Sequence, residues 1–223
     1  MEKRLKLLYS SLTAGFCIGI GSLLFIISKT YLGPVGLLVG SLLFPLGLIS
    51  ICYLQIHLYT GKIGFIAKST PETRFNLTKA EWLTWMIIGN FIGAMLIGLV
   101  IYMATYLAPD SSFTQTVLSI GNSKVLSYDI NSISIAFVKS FLCGIFVYLA
   151  VLFFNTFKKH YAKLVGIIVP IALFVYCGFW HCIANMTYLV ASGQNIVDII
   201  YSLLVCTLGN SLGALFTNKL LTA

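Results

Sequence analysis

The tightest constraint on this chain is a run of polar residues where a membrane helix should have none. Residues 177–189 lie in the fifth of six long apolar segments, yet they carry Gly178, His181, Asn185 and Thr187. A second interruption, residues 54–65 in the second segment, carries Gln55, His57, Thr60, Gly61, Lys62 and Gly64. A lipid core offers no water to polar side chains or freed backbone groups, so both breaks must be received by protein or by a water-filled path. The expected architecture is a scaffold of helices that brings the two breaks together.

Composition supports a bilayer setting. Of the 223 residues, 59% are hydrophobic and 9% are charged, against roughly 25% charged in a soluble domain. About 20 helical residues cross a 30 Å core. Six segments meet that length, at about 7–28, 35–67, 81–107, 132–157, 164–190 and 196–217. The second and fifth exceed one crossing, and a helix, a short non-helical stretch and a further short helix would absorb the excess. Residues 1–6 are basic, like the start of a signal peptide, but the apolar run that follows suits a retained spanning helix better than a cleaved one.

The chain holds 14 Lys and Arg against 6 Asp and Glu. In a chain this apolar, the excess reads as cytoplasmic loop charge rather than a nucleic-acid surface. With the N-terminus in the cytoplasm, Lys3, Arg4, Lys6, Lys68, Arg74, Lys79, Lys158, Lys159, Lys163 and Lys219 lie inside. Lys29 and Lys124 lie outside, and Lys62 and Lys139 fall within apolar segments. This bias predicts a multi-pass protein of the cell (inner or plasma) membrane with both termini cytoplasmic. Cys17, Cys52, Cys143, Cys177, Cys182 and Cys206 all lie in apolar segments without a Cys-x-x-Cys pair, so they read as buried thiols.

The sequence also repeats. Gly89-Asn90-Phe91-Ile92-Gly93-Ala94 and Gly209-Asn210-Ser211-Leu212-Gly213-Ala214 share a Gly-Asn-x-(Ile/Leu)-Gly-Ala pattern. Small residues four apart let helices approach closely, which alone accounts for either copy. Two copies in corresponding places say more. They predict one transmembrane domain over residues 1–223, built of repeats at about 7–107 and 132–217. Each repeat has three helices and a broken middle one, so the second is inverted relative to the first.

At the breaks the sequence resembles the formate/nitrite transporter family. Leu58-Tyr59-Thr60-Gly61 is similar to that family's Leu-Phe-Thr-Gly motif in the second helix. Gly178-Phe179-Trp180-His181-Cys182-Ile183-Ala184-Asn185-Met186 is similar to its Gly-Phe-Glu-His-x-x-Ala-Asn-Met string in the fifth. The resemblance implies an all-α, aquaporin-like fold and a homopentamer with one pore per protomer. It also implies small monovalent anions of weak acids as substrates, such as formate, nitrite or hydrosulfide, with or without a proton. Four positions depart from the pattern: His57 stands for an acid, Lys62 follows Thr-Gly, Trp180 stands for a Glu, and Tyr148 stands for an Asn in the fourth helix.

The resemblance nominates His181 and Thr60 as facing hydrogen-bonding groups of the pore. A structural histidine and a capping hydroxyl are the plainer readings. Leu58 and Tyr59 are candidates for an apolar constriction, which passes neutral or weakly hydrated species. Asn185, one turn past His181, is expected to support the site by satisfying backbone groups freed by the break. Lys139 and Lys6 are candidates for cations near the two ends of the pore. No catalytic residue, cofactor or metal is expected. Cys177 and His181 share a helical face, with Cys182 adjacent, but their spacing matches no standard metal site and no carboxylate supports it. Two alternatives remain beside an anion channel or transporter. One is a transport-inactive scaffold or sensor, plugged by Tyr148, Trp180 or Lys62, and the other is a pore for a neutral solute such as ammonia or dihydrogen sulfide.

Overall fold

Long apolar runs free of proline give long helices. In the computed structural model, which describes residues 2–69 and 77–222, four of them are continuous. They are α1 (Glu2–Tyr31), α5 (Lys79–Leu107), α7 (Ile130–Thr156) and α10 (Ile196–Thr222). Arg74, counted above among the inner charges, lies outside the described residues. Helix starts follow their capping residues. Thr78 and Glu81 form a reciprocal capping box at α5, and the Asp129 carboxylate accepts the Ser132 N–H at α7. A short amphipathic helix, α6 (Ser112–Asn122), joins the two halves.

The second segment is in pieces. A 3₁₀ turn (Gly33–Val35) leads into α2 (Gly36–Leu43) and, after Pro45, α3 (Leu46–Leu54). Past the break come α4 (Tyr59–Lys62) and a 3₁₀ stretch (Ile63–Lys68). The fifth segment divides into α8 (His160–Tyr176) and α9 (Cys182–Ala191). Five described stretches are long and apolar enough to cross a bilayer: Lys3–Tyr31, Gly33–Leu54, Lys79–Leu107, Ile130–Thr156 and Ile196–Thr222. The fifth predicted segment is two shorter apolar helices instead.

The two halves pack alike. α1 runs along α5, and α7 runs along α10, as the most extensive helix pairs of the fold. In each pair a glycine admits the facing backbone. A Cβ at Gly15 would overlap the Asn90 main chain, and one at Gly144 would overlap the Asn210 main chain. This close approach is what the small residues of the repeat provide. Outward-facing Val100, Met103, Val138, Val165, Leu204 and Leu208 are exposed on the chain and suit lipid or a neighbouring protomer.

Candidate functional site

Both breaks open with the same turn. α3 ends at Gln55 in the left-handed region (φ 55°), where the Ile56 N–H reaches back to the Ile51 carbonyl. α8 ends just before Gly178 (φ 68°), where the Phe179 N–H reaches back to the Phe174 carbonyl. This closure satisfies carbonyls that a helix end leaves bare. Extended residues then lead to Leu58 and His181, which begin the next short helices.

Two asparagines hold these extended strands. Asn90 Oδ1 accepts the Tyr59 N–H at 2.7 Å, and its Nδ2 donates to the His57 carbonyl at 2.9 Å and the Ser11 carbonyl at 2.7 Å. Asn210 Oδ1 accepts the Cys182 N–H at 2.9 Å, and its Nδ2 donates to the Trp180 and Ser140 carbonyls, both at 2.8 Å. The Gly-Asn repeat visible in the sequence is therefore the clamp of the two breaks. This was the task expected of Asn185. Asn185 instead directs Nδ2 toward Cys206 Sγ at 3.8 Å, and the freed backbone groups go to Asn90 and Asn210.

The clamped breaks bring Thr60 and His181 together. Thr60 Oγ1 lies 2.8 Å from His181 Nε2, and each residue is only 2% exposed. Roles follow from the other ring nitrogen. His181 Nδ1 accepts the Ala184 N–H at 3.2 Å as the N-cap of α9, so the ring proton of a neutral imidazole sits on Nε2. Nε2–H then donates to Thr60, whose own hydroxyl proton is left to offer elsewhere. Protonating Nδ1 would break the cap, so this geometry favours a neutral ring.

Three cavities with shared lining residues adjoin His181 and Leu58. The first, about 230 Å³, is lined by Cys52, Gln55, His57, Leu58, Lys62 and Asn155, among others. The second, about 140 Å³, is lined by Lys29, Lys124, Gly178, His181, Asn185 and Tyr188, among others. Between them lies a pinch of about 10 Å³ formed by Ile18, Phe44, Leu48, Leu58, Val147, Ile171, Phe174 and His181. Leu58 is shared with the first cavity and His181 with the second. The pinch holds about one water at most. Its wall is apolar except for His181, whose ring stacks on Phe174 at 5.9 Å.

The sequence candidates divide accordingly. Leu58, Thr60, His181 and Asn185 gather at or beside the pinch. Tyr59 turns away, with its hydroxyl 2.9 Å from Ser211 Oγ, and does not line these cavities. Lys6 is exposed on the first turns of α1, and half-buried Lys139 lies outside the linings. Of the departures, His57 is buried within the chain, 2.7 Å from Ser10 Oγ. Tyr148 stacks on Phe65 at 4.6 Å and donates to Asn218, clear of the cavities, while Lys62 lines the wide first cavity rather than the pinch. Lys124, read only as an outer loop charge, lines the second cavity, and burial pushes its ammonium down to about 8. Nothing in its local sequence marks it, because the loop folds back onto residues 54 positions away.

Comparison with known proteins places this architecture. The formate/nitrite transporter family model matches residues 2–223. A formate channel, FocA, of Haemophilus influenzae is 31% identical over 183 residues, covering 79% of this chain and 63% of that protein. FocA of Escherichia coli K12 is 30% identical over 188 residues, covering 82% and 64%. The matches thus span just under two thirds of those relatives' lengths. Among solved structures, a pentameric formate channel with formate bound shares the fold at TM-score 0.83 and 23% identity, covering 99% of this chain and 96% of that one. An FNT family ion channel does so at TM-score 0.81 and 24% identity, covering 98% and 89%. With two clamped breaks meeting at a histidine and a family match across nearly its whole length, the chain belongs to the formate/nitrite transporter family.

Proposed function

We propose that this chain is a membrane channel or transporter for small monovalent anions of weak acids, with formate as the leading candidate and nitrite and hydrosulfide as further ones. The observation that carries the reading is the pair of lysine-bearing cavities meeting at an apolar pinch beside the Thr60–His181 bond. Lys29 and Lys124 draw an anion into one cavity and Lys62 into the other. At the pinch the anion must shed its water. Moving a bare charge into an apolar medium costs tens of kcal/mol on an idealised scale. Protonating a carboxylate with a pKa of about 4 at pH 7 costs only about 4 kcal/mol. Crossing wholly or partly as the neutral acid is therefore the cheaper route, with the His181 and Thr60 hydroxyl and N–H groups holding the acid as it passes.

The same reading takes residues 1–223 as one transmembrane domain of two inverted repeats with both termini cytoplasmic. It takes the outer apolar faces as the contacts of a homopentamer in the cell membrane, in line with the pentameric relative of the same fold. The placement of Tyr148 and Trp180 outside the pinch speaks against a plugged scaffold.

Uptake of formate, nitrite and hydrosulfide into liposomes under an imposed pH gradient tests this. Selective uptake that rises with inward proton drive is expected. Uptake indifferent to pH and steered by voltage would make it a plain anion channel, and no uptake by a well-formed oligomer would refute transport.

A further inference from the structure

Lys124 is held in an unusual way. It is 9% exposed, in the loop between α6 and α7, and its Nζ donates to the Gly178 carbonyl at 3.3 Å. The same Nζ stands 5.6 Å from the centre of the Trp180 ring. Trp180 is itself buried, and its carbonyl is fixed by Asn210 at 2.8 Å, so the ring has a rigid base immediately before His181. The groups that face Lys124 are Lys29 on α1, Lys139 and Cys143 on α7, and Cys206 on α10. Of these, Lys29 lines the second cavity with Lys124, and among the described residues no carboxylate lines it. An aromatic face stabilises an ammonium without cancelling its charge, whereas a carboxylate would pair with it and cancel the field an anion feels.

We infer that Trp180 is a positioning residue for anion capture: its ring, with the Gly178 carbonyl, holds the Lys124 ammonium uncompensated over the cavity that leads to His181. The inference rests on the anion-transport reading above. Trp180 thereby tunes the half-saturating anion concentration and its pH dependence, while the pinch sets the maximal rate. Burial lowers the Lys124 ammonium to about 8, so capture weakens as pH rises through that value. Removing the ring destabilises the ammonium and moves the loss to lower pH. A carboxylate in its place raises the ammonium again but neutralises the site.

The test compares Trp180→Phe, Trp180→Leu and Trp180→Glu in liposomes between pH 6 and 9. Trp180→Phe should stay within about twofold of the parent, because a ring remains. Trp180→Leu and Trp180→Glu should each raise the half-saturating concentration about three- to tenfold, with the maximal rate changed less. The pH of half-loss should fall in the leucine variant and rise in the glutamate variant. Equal losses of maximal rate in all three, at unchanged half-saturation, would overturn the inference in favour of a purely structural tryptophan. A second measurement is independent of transport. The chain has three tryptophans, so Trp82→Phe with Trp85→Phe leaves Trp180 as the sole emitter. Its emission should step near pH 8 and lose that step in Lys124→Met. An emission without the step, or a step that survives Lys124→Met, refutes the pairing. Absence of transport with the step intact refutes only the functional reading.

Discussion

Asn90 and Asn210 make the same bonds to the two breaks. Each accepts the first N–H of the short helix after its break and donates to the carbonyl two residues earlier, and each donates again to a serine carbonyl, Ser11 or Ser140, on the facing long helix. One amide side chain thus ties a break to the scaffold in each half. The symmetry ends at the pore. The residues in equivalent places ahead of those short helices are Leu58 and His181, so one clamp presents an apolar wall and the other a hydrogen-bonding ring. A repeated frame carries an unrepeated site.

The clamp predicts an order of damage. Asn210→Ala leaves the Cys182 N–H and Trp180 carbonyl without partners, at about 1 to 3 kcal/mol each. Asn210→Asp keeps the acceptor but turns an oxygen toward two carbonyl oxygens and buries a charge, so it should be worse than alanine despite its shape. Thermal unfolding of the purified protein is expected to rank parent, Ala, Asp. Asp equal to the parent would refute the donor assignment.

The Thr60–His181 bond predicts a split between similar substitutions. Thr60→Ser keeps an oxygen for Nε2–H and should retain flux. Thr60→Val leaves that N–H buried and unpaired at about 1 to 3 kcal/mol, so flux should fall about five- to hundredfold with the fold intact. A His181→Phe variant that transports like the parent at every pH would remove the polar role of His181 altogether.

The breaks, the repeat and the histidine were legible because lipid leaves polar residues so few reasons to be there. The Thr60–His181 contact followed from resemblance, since no spacing rule brings residues 121 positions apart to 2.8 Å. Asn185 drew the clamp role through its nearness to the break, but backbone satisfaction came from α5 and α10. The Gly-Asn pairs there read first as packing. Tyr59 sits in the motif, yet its ring packs between helices, against clusters that include Trp82 and Tyr148, with its hydroxyl toward Ser211, because neighbouring residues on a helix point in different directions. Lys124 and Phe174 were invisible as site residues, being set by how a loop and a turn fold over the second cavity.

The pinch predicts a change of selectivity. Leu58 closes it from the first cavity, and Leu58→Ala should admit bulkier acids. The ratio of acetate to formate uptake should rise about tenfold, the discrimination that roughly one methylene's space carries. Stability should fall by about 2 to 5 kcal/mol, as for other buried leucines. An unchanged ratio would place the size filter elsewhere.

Two glycines predict opposite kinds of loss. A Cβ at Gly178 meets nothing within 4 Å, so Gly178→Ala strains only the left-handed backbone (φ 68°), at about 1 to 2 kcal/mol. The protein should assemble and unfold at a lower temperature. Gly144 has ordinary helical geometry, but its Cβ would overlap the Asn210 main chain, which has no flexible end to move aside. Gly144→Ala must push α7 from α10 and loosen the Asn210 clamp with it. Loss of both assembly and flux is expected on size-exclusion chromatography and in liposomes. If Gly144→Ala assembled normally while Gly178→Ala did not, backbone strain at the break, rather than close helix approach, would be the limiting feature of the fold.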